Sequence, residues 1–415
     1  MNDVIREDYL QRISEFRDQN VIKILTGVRR CGKSTIMRQY IQRLLDEGIP
    51  EEDIVYVNME SLSNHRFEDG MALYEHILES RKKRRLYVFL DEVQMIRGWE
   101  RVVNSLKADM DCDIYLTGSN AYLLSTEIST LLTGRSVSFM ILPLSFKEFL
   151  KIDPPEGLYD VPKKFSRYVR LGGMPFIRPG NDEDVVFQRL GEIKSDIILK
   201  DVCNRKEKIG SVKIRRMVDY MFSETGNALS AENLANSLKI STSTAGGYLS
   251  LIMDSLLFYK AERFDVKGKD VLSTMPKIYC VDTGLRNTQP IAGDRDYGRV
   301  LENIVFLELL RRGFSVYVGK SGKYEIDFVT VKNGRHGYVQ VSQTIVDEAV
   351  RERELRPLRT VTGNGDRLLI VADPMEKAEV DGVTVMNVID FLMERAHQGP
   401  KGEKGSAPKR PSYIQ

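Results

Sequence analysis

Residues 27–35, GVRRCGKST, set two glycines, a lysine and two hydroxyl side chains at the spacing that holds a nucleoside triphosphate. The backbone N–H groups from Gly27 through Val28, Arg29, Arg30 and Cys31 to Gly32 can converge on phosphate oxygens, and Lys33 can reach the β and γ phosphates as a point charge. Ser34 would then hold Mg²⁺, and Thr35 completes the motif. A second group with chemical capacity, Asp91 and Glu92, ends the apolar run LYVFLDEV at 86–93. Successive side chains of a strand point to opposite faces, so two adjacent carboxylates can take different tasks. Asp91 is expected to bind Mg²⁺ through water, and Glu92 to orient or deprotonate the attacking water. A third run, DIYLTGSN at 113–120, ends in small polar groups able to sense the γ phosphate, with Asn120 the first candidate and Ser119 the second.

These groups need elements to carry them. VIKIL before the glycine loop is a buried-strand pattern, and in STIMRQYIQRLL after it Ile36, Met37, Tyr40, Ile41, Leu44 and Leu45 recur at helical steps. The free amides and positive dipole end of that helix would face the anion. IVYVNME at 54–60 and SVSFMILPL at 136–144 complete five strands alternating with helical stretches. That alternation predicts a parallel sheet covered by helices on both faces, with ligands at the carboxyl ends of the strands.

Beyond the first domain, 1–150, the character changes at DPPEG, 153–157. Helical patterns over 151–222 predict a lid, in which LGGMPF supplies flexible glycines and a proline turn and IKSDIILKDV a packing helix. Between 223 and 290 a helix, a short turn, a second helix and a strand have the outline of a winged helix, with Leu234, Ala235 and Leu238 facing inward from the first helix and Tyr248, Leu249, Ile252 and Leu256 from the second. Ser243 and Thr244 are expected at the start of the second helix. That start carries no arginine or lysine. Lys239, Lys260, Arg263, Lys267 and Lys269 are the nearby cations, so double-stranded DNA and a protein partner both stay open. Over 291–395, Glu302 on a helix, Asp327 on a strand and a polar tip on the next strand give a restriction-endonuclease-like layout. Gln340 and Ser342 stand where an active member has a carboxylate and a lysine, which predicts an inactive domain. Residues 396–415, rich in Gly, Pro and Lys, are expected to be disordered.

The run from DEVQMIRGWERVVNSL through YLTGSNAYLLS to LLTGRSVSFMILPLSFKEF resembles the prokaryotic AAA-type P-loop ATPases. RLGGMPF, DIILKDV, PKIYCVDTGLRN, LENIVFLELLRRG and YEIDFV extend the likeness to the group whose C-terminal part is a domain of unknown function, number 4143, over roughly residues 5 to 390. The resemblance implies an α/β multidomain fold and ATP binding and hydrolysis through Gly27 to Thr35, Asp91 and Glu92, with ATP and Mg²⁺ as cofactors. It also marks Arg135, in TGRS, as a γ-phosphate sensor or arginine finger, acting in its own chain or on a neighbour in a homo-oligomer.

Composition fits a cytoplasmic globular chain of two or three domains, with 42% hydrophobic and 29% charged residues among 415. The net charge of +2 announces no nucleic acid by itself, and no apolar run is long enough for a bilayer. Cys31, Cys112, Cys203 and Cys280 lack metal-ligand spacing and read as reduced thiols, Cys31 as a small filler of the loop. Three functions remain: an ATPase switch that repositions the C-terminal modules on a partner, an ATP-dependent DNA-binding or DNA-cleaving enzyme, and a chain that holds ATP as structural glue.

Overall fold

The structure, a computed structural model, describes residues 4–81, 84–119, 123, 130–132, 134–203, 210–268, 270–289, 297–362 and 365–394. Asn120, Lys269 and the tail 396–415 lie outside the described residues.

Five strands form the first sheet: β1 (Ile22–Thr26), β2 (Ile54–Asn58), β3 (Leu86–Asp91), β4 (Cys112–Gly118) and β5 (Ser136–Met140). All their pairings are parallel, in the order β2-β3-β4-β1-β5. The three inner strands are buried along their whole length, whereas β2 alternates and β5 is mostly half-exposed. Parallel strands covered on both faces require continuous apolar runs, and edge strands do not. The helix Lys33–Asp46 covers one face with Ile36, Met37, Tyr40 and Leu44. The helices Gly70–Glu79 and Trp99–Asp109 cover the other, setting Leu73, Ile77, Val103 and Leu106 against Ile24, Val88, Leu90 and Ile114. Because β4 lies between β1 and β3, the ends of these three strands meet at one place.

A helical layer follows, beginning with Phe146–Ile152, which Ser145 and Glu148 close with a reciprocal capping box. Helices Val161–Leu171, Glu183–Asp196 and Ser211–Ser223 come next, and between the last two the chain widens into a π-helical stretch, Ile197–Val202. The glycines of LGGMPF, expected to supply flexibility, sit in close contact with neighbouring groups. A Cβ on Gly172 (φ 79°) would collide with the carboxylate of Asp282, and one on Gly173 with the carbonyl oxygen of Leu144. Both glycines permit close backbone approach.

Helices Ala231–Leu238 and Thr242–Asp254 are capped by Ser230 and Ser241, whose hydroxyls accept from Asn233 N and Thr244 N at 3.1 Å each. The second helix thus starts one residue earlier than expected, with Ser241 rather than Ser243 as its cap. The hairpin β6 (Phe258–Asp265) and β7 (Asp270–Cys280) follows. It does not stand apart as a wing: β6 pairs in parallel with β8 (Ser315–Ser321) through Arg263 opposite Val318. The sheet continues through β9 (Tyr324–Lys332), β10 (Arg335–Ser342), β11 (Asp366–Val371), β12 (Ala378–Val380) and β13 (Val383–Asn387), giving eight strands in the order β12-β13-β11-β10-β9-β8-β6-β7. It draws strands from both sides of residue 290, where the sequence suggested a boundary. Helices Tyr297–Arg311 and Glu348–Arg359 pack against it.

Candidate functional site

The glycine loop leaves β1 at its carboxyl end and enters the helix Lys33–Asp46. Gly27 has no room for a side chain, because a Cβ would run into Ile141 O and approach Cys31 Sγ at 2.8 Å. Arg30 and Gly32 take left-handed backbone conformations, φ 66° and 103°. Strain of this kind at a non-glycine residue clusters at ligand sites. Cys31 is wholly buried, and burial raises its thiol pKa, so its place is packing rather than thiolate chemistry. Lys33 folds back and donates from Nζ to Gly27 O at 3.0 Å and Val28 O at 3.3 Å, with Glu92 Oε1 at 3.9 Å. The ammonium therefore sits inside the ring that loop amides would use to surround phosphate.

From behind, Arg6 braces this loop. Its Nη1 donates to Cys31 O at 3.3 Å and Leu142 O at 2.8 Å, and its Nε pairs with Glu148 at 2.9 Å. Burial pushes the Glu148 carboxyl up, and Arg6 more than offsets it, so the carboxyl is held below its ordinary range. Nothing in the N-terminal sequence marked Arg6, an isolated arginine ahead of a short helix.

Asp91 and Glu92 point apart at the end of β3. Asp91 accepts from Ser34 Oγ at 3.0 Å, from Tyr56 OH at 2.9 Å, and from the hydroxyl of Thr117. Ser34 and Asp91 thus present oxygen donors side by side. Mg²⁺ is commonly held by one or two protein oxygens together with phosphates, and this pair fits that need. Among the described residues there is no group of three or more His, Cys, Asp or Glu suited to a metal. Glu92 adopts a left-handed conformation, φ 57°, secured by its N–H donating to Thr117 Oγ1 at 2.9 Å. Its carboxylate accepts from Gln94 and, at 3.4 Å, from Ser119 Oγ.

The helical layer adds a residue that the sequence did not single out. Asp201, in the π-helical stretch, takes Nε and Nη2 of Arg29 at 3.0 and 3.1 Å and Ser119 Oγ at 3.4 Å. Arg29 also reaches Glu60 at 3.3 Å, and Arg30 reaches Asp196 at 3.4 Å. The available signal was two carboxylates five residues apart in IKSDIILKDV. An ordinary α-helix would turn them about 140° apart, and the wider π turn reduces that angle.

Arg135 lies elsewhere. Its carbonyl accepts from Ile22 N at 2.8 Å, at the start of β1, while the glycine loop follows the end of that strand. Five residues of strand, roughly 17 Å, separate the two levels. Its exposed side chain is thus too far away to serve the nucleotide of its own chain, and that half of the expectation is withdrawn.

A second polar cluster occupies the eight-stranded sheet. Lys277 Nζ pairs with Glu302 at 3.1 Å and Glu325 at 2.9 Å, and Tyr279 OH donates to Glu302 at 2.6 Å. Gln340 accepts from Asp327 N at 3.2 Å and donates to Glu354 at 3.1 Å. Burial first, and then the neighbouring Glu302, drive the Asp327 carboxyl well above the usual carboxylate range. Ser342 turns to Thr344 O at 2.9 Å. The nearest ammonium, Lys277, comes from β7 and is already committed to Glu302 and Glu325.

Comparison with known proteins accords with this architecture. Residues 19–150 match the protein-family model described as AAA domain, and residues 162–294 match Domain of unknown function (DUF8612). An uncharacterized protein of Haemophilus influenzae is 37% identical over 401 residues, covering 94% of this chain and 99% of its own. The chain belongs to this family of prokaryotic AAA-type P-loop proteins. A further relative, an uncharacterized protein of Methanocaldococcus jannaschii, is 31% identical over 360 residues, covering 81% of this chain and 78% of its own. Among solved structures, the Walker-type ATPase of Pyrococcus abyssi is similar with a TM-score of 0.42 at 16% identity, covering 69% of this chain and 95% of that one. In this AAA-type chain no helix among the described residues is long and apolar enough to cross a membrane.

Proposed function

We propose that this AAA-type protein binds ATP with Mg²⁺ at the carboxyl ends of β1, β3 and β4, hydrolyses it, and uses the nucleotide state to reposition its C-terminal modules on a partner protein. The observation that carries the reading is one connected polar network: Lys33, Ser34, Asp91, Glu92, Thr117 and Ser119 converge from the ends of β3 and β4 and from a helix N-terminus. Loop amides from Gly27 to Thr35 and the Lys33 ammonium hold the phosphates. Ser34 and Asp91 hold the ion, which when bound neutralises charge on the β and γ oxygens. Glu92 orients the attacking water and receives its proton, while Asn120, with Ser119 the second candidate, senses the γ phosphate. Any phosphate contact of Arg135 is made to a neighbouring copy. The helical layer transmits the state, since Asp201 touches both the loop and Ser119.

The test is turnover and binding in the purified chain. Lys33→Ala is expected to abolish binding of a fluorescent ATP analogue. Glu92→Gln is expected to keep binding and reduce hydrolysis at least about a hundredfold, the scale of a lost general base. Equal hydrolysis by both variants and the parent would refute the assignment.

A further inference from the structure

Asp201 makes a contact that holding and cleaving ATP does not require. It stands on the helical layer, 172 positions from Arg29 in sequence, yet its two oxygens take Nε and Nη2 of that arginine as a fork, at 3.0 and 3.1 Å. The remaining nitrogen, Nη1, donates to Glu60. Arg29 is in the middle of the phosphate loop, so the loop's own arginine has its donors turned to carboxylates. A guanidinium fork matches phosphate as well as it matches carboxylate. Position indicates which phosphate it would meet. Arg29 lies in the field of Glu92, which is expected to act at the γ end, and its partner Asp201 also touches Ser119.

We propose that Asp201 is a positioning residue that competes with the γ phosphate for Arg29. It holds the guanidinium against the helical layer, and a bound triphosphate takes the guanidinium over, so that γ-phosphate recognition and release of the layer become one equilibrium. The proposal rests on the reading that the loop binds ATP. The Asp201 side chain is only 8% exposed. Deprived of Arg29 it would be a nearly buried carboxylate without a cation beside Glu92 and the incoming phosphate, an arrangement strongly disfavoured if it stays. The segment must therefore move. A π turn is a natural place for it, because its hydrogen-bonding pattern is less favourable than that of the α-helix it interrupts. A diphosphate lacks the competing group and leaves the Arg29–Asp201 bond in place. Arg30 with Asp196 is a weaker, exposed version of the same contact, at 3.4 Å.

The experiment is titration of the full chain with fluorescent ATP and ADP analogues in Mg²⁺. Asp201→Asn is expected to tighten ATP about tenfold while moving ADP less than about twofold, because only one complex contains the competing anion. Asp201→Glu should restore the parent ratio, and Arg29→Gln should erase the preference for ATP over ADP. A merely structural ion pair would shift both nucleotides together. Unchanged or weakened ATP binding in Asp201→Asn overturns the proposal and leaves the nucleotide reading standing. Should that variant fail to fold, Arg29→Gln decides, and equal losses for ATP and ADP overturn it. If parent and Lys33→Ala bind neither nucleotide, the reading beneath the proposal has failed and the proposal falls with it.

Discussion

Thr117 holds the two active carboxylates with one oxygen. Its hydroxyl donates to Asp91 and accepts the Glu92 N–H, and the side chain is fully buried. Both bonds matter to geometry: the first aims Asp91 toward Ser34, the second fixes the left-handed turn that points Glu92 at Ser119. Thr117→Val keeps the shape of the side chain and removes the oxygen. The expected result is a fall in kcat of about tenfold with a much smaller change in ATP affinity, since it is water positioning that suffers. Stability should drop by about 1–3 kcal/mol, chiefly for the Glu92 N–H left without its acceptor, since Asp91 keeps Ser34 and Tyr56. A KM effect with kcat intact would place the role of Thr117 in binding instead. At this scale the sequence singled out the glycine loop, Asp91 and Glu92, which the structure brings together, because the spacing is the one that phosphate and Mg²⁺ binding as proposed would demand. Thr117 and Asp201 were not singled out, for opposite reasons. A threonine inside a strand has the ordinary composition of strands, and Asp201 acquires its partner only when residues 172 positions apart meet.

At the scale of elements, the LGGMPF turn and the short helix Thr283–Asn287 are fastened by Asp282. Its carboxylate accepts from Gly173 N at 2.7 Å and Leu285 N at 3.0 Å. Burial nevertheless dominates and pushes its pKa from 3.8 up to about 6. A raised folded-state pKa favours the protonated folded form, so this contribution is fully present below 3.8 and lost as pH rises through about 6. Denaturant unfolding of the parent and of Asp282→Asn should show it. Relative to the variant, the parent should lose stability between those two pH values, by an amount on the order of 3 kcal/mol from the shift, and then run parallel. Parallel curves throughout would mean that the buried carboxyl stays charged. The sequence displayed the two glycines and Asp282 but not their meeting, which joins residues more than a hundred positions apart. Strands β1, β3 and β4 were legible for a plainer reason: continuous apolar runs have no alternative use in a parallel sheet. The extension of the hairpin β6–β7 into the eight-stranded sheet rests on pairing between residues 55 positions apart, Arg263 and Val318, which no local pattern encodes.

Across the whole molecule the question is what a nucleotide-driven movement would act on. A DNA partner needs cations on the presented surface. The helix Thr242–Asp254 begins with exposed Ser241, Thr242 and Ser243, and of the neighbouring cations Arg263 is already paired with Glu325 at 2.8 Å. Among the described residues of that set, Lys239, Lys260 and Lys267 remain exposed, a small number beside the usual set of phosphate contacts. The cluster around Asp327 fares no better as a phosphodiesterase. Burial first, and then Glu302, raise the Asp327 carboxyl well above the usual carboxylate range, Gln340 is neutral, and Lys277 is bound to two carboxylates. A metal ion needs deprotonated oxygens, and the upward shift of Asp327 together with the engagement of Glu302 and Glu325 by Lys277 works against one there. One assay addresses both points: ATP turnover with and without double-stranded DNA at physiological salt, with the DNA recovered afterward. Turnover should be unchanged and the DNA intact in Mg²⁺ or Mn²⁺, which directs the search for a partner toward protein. Stimulation of the parent but not of Lys33→Ala would make the two-helix segment a reader of DNA. Cutting that disappears in Asp327→Ala would show that the cluster gathers a metal despite its buried charges, and the eight-stranded sheet would then be the working end of the molecule.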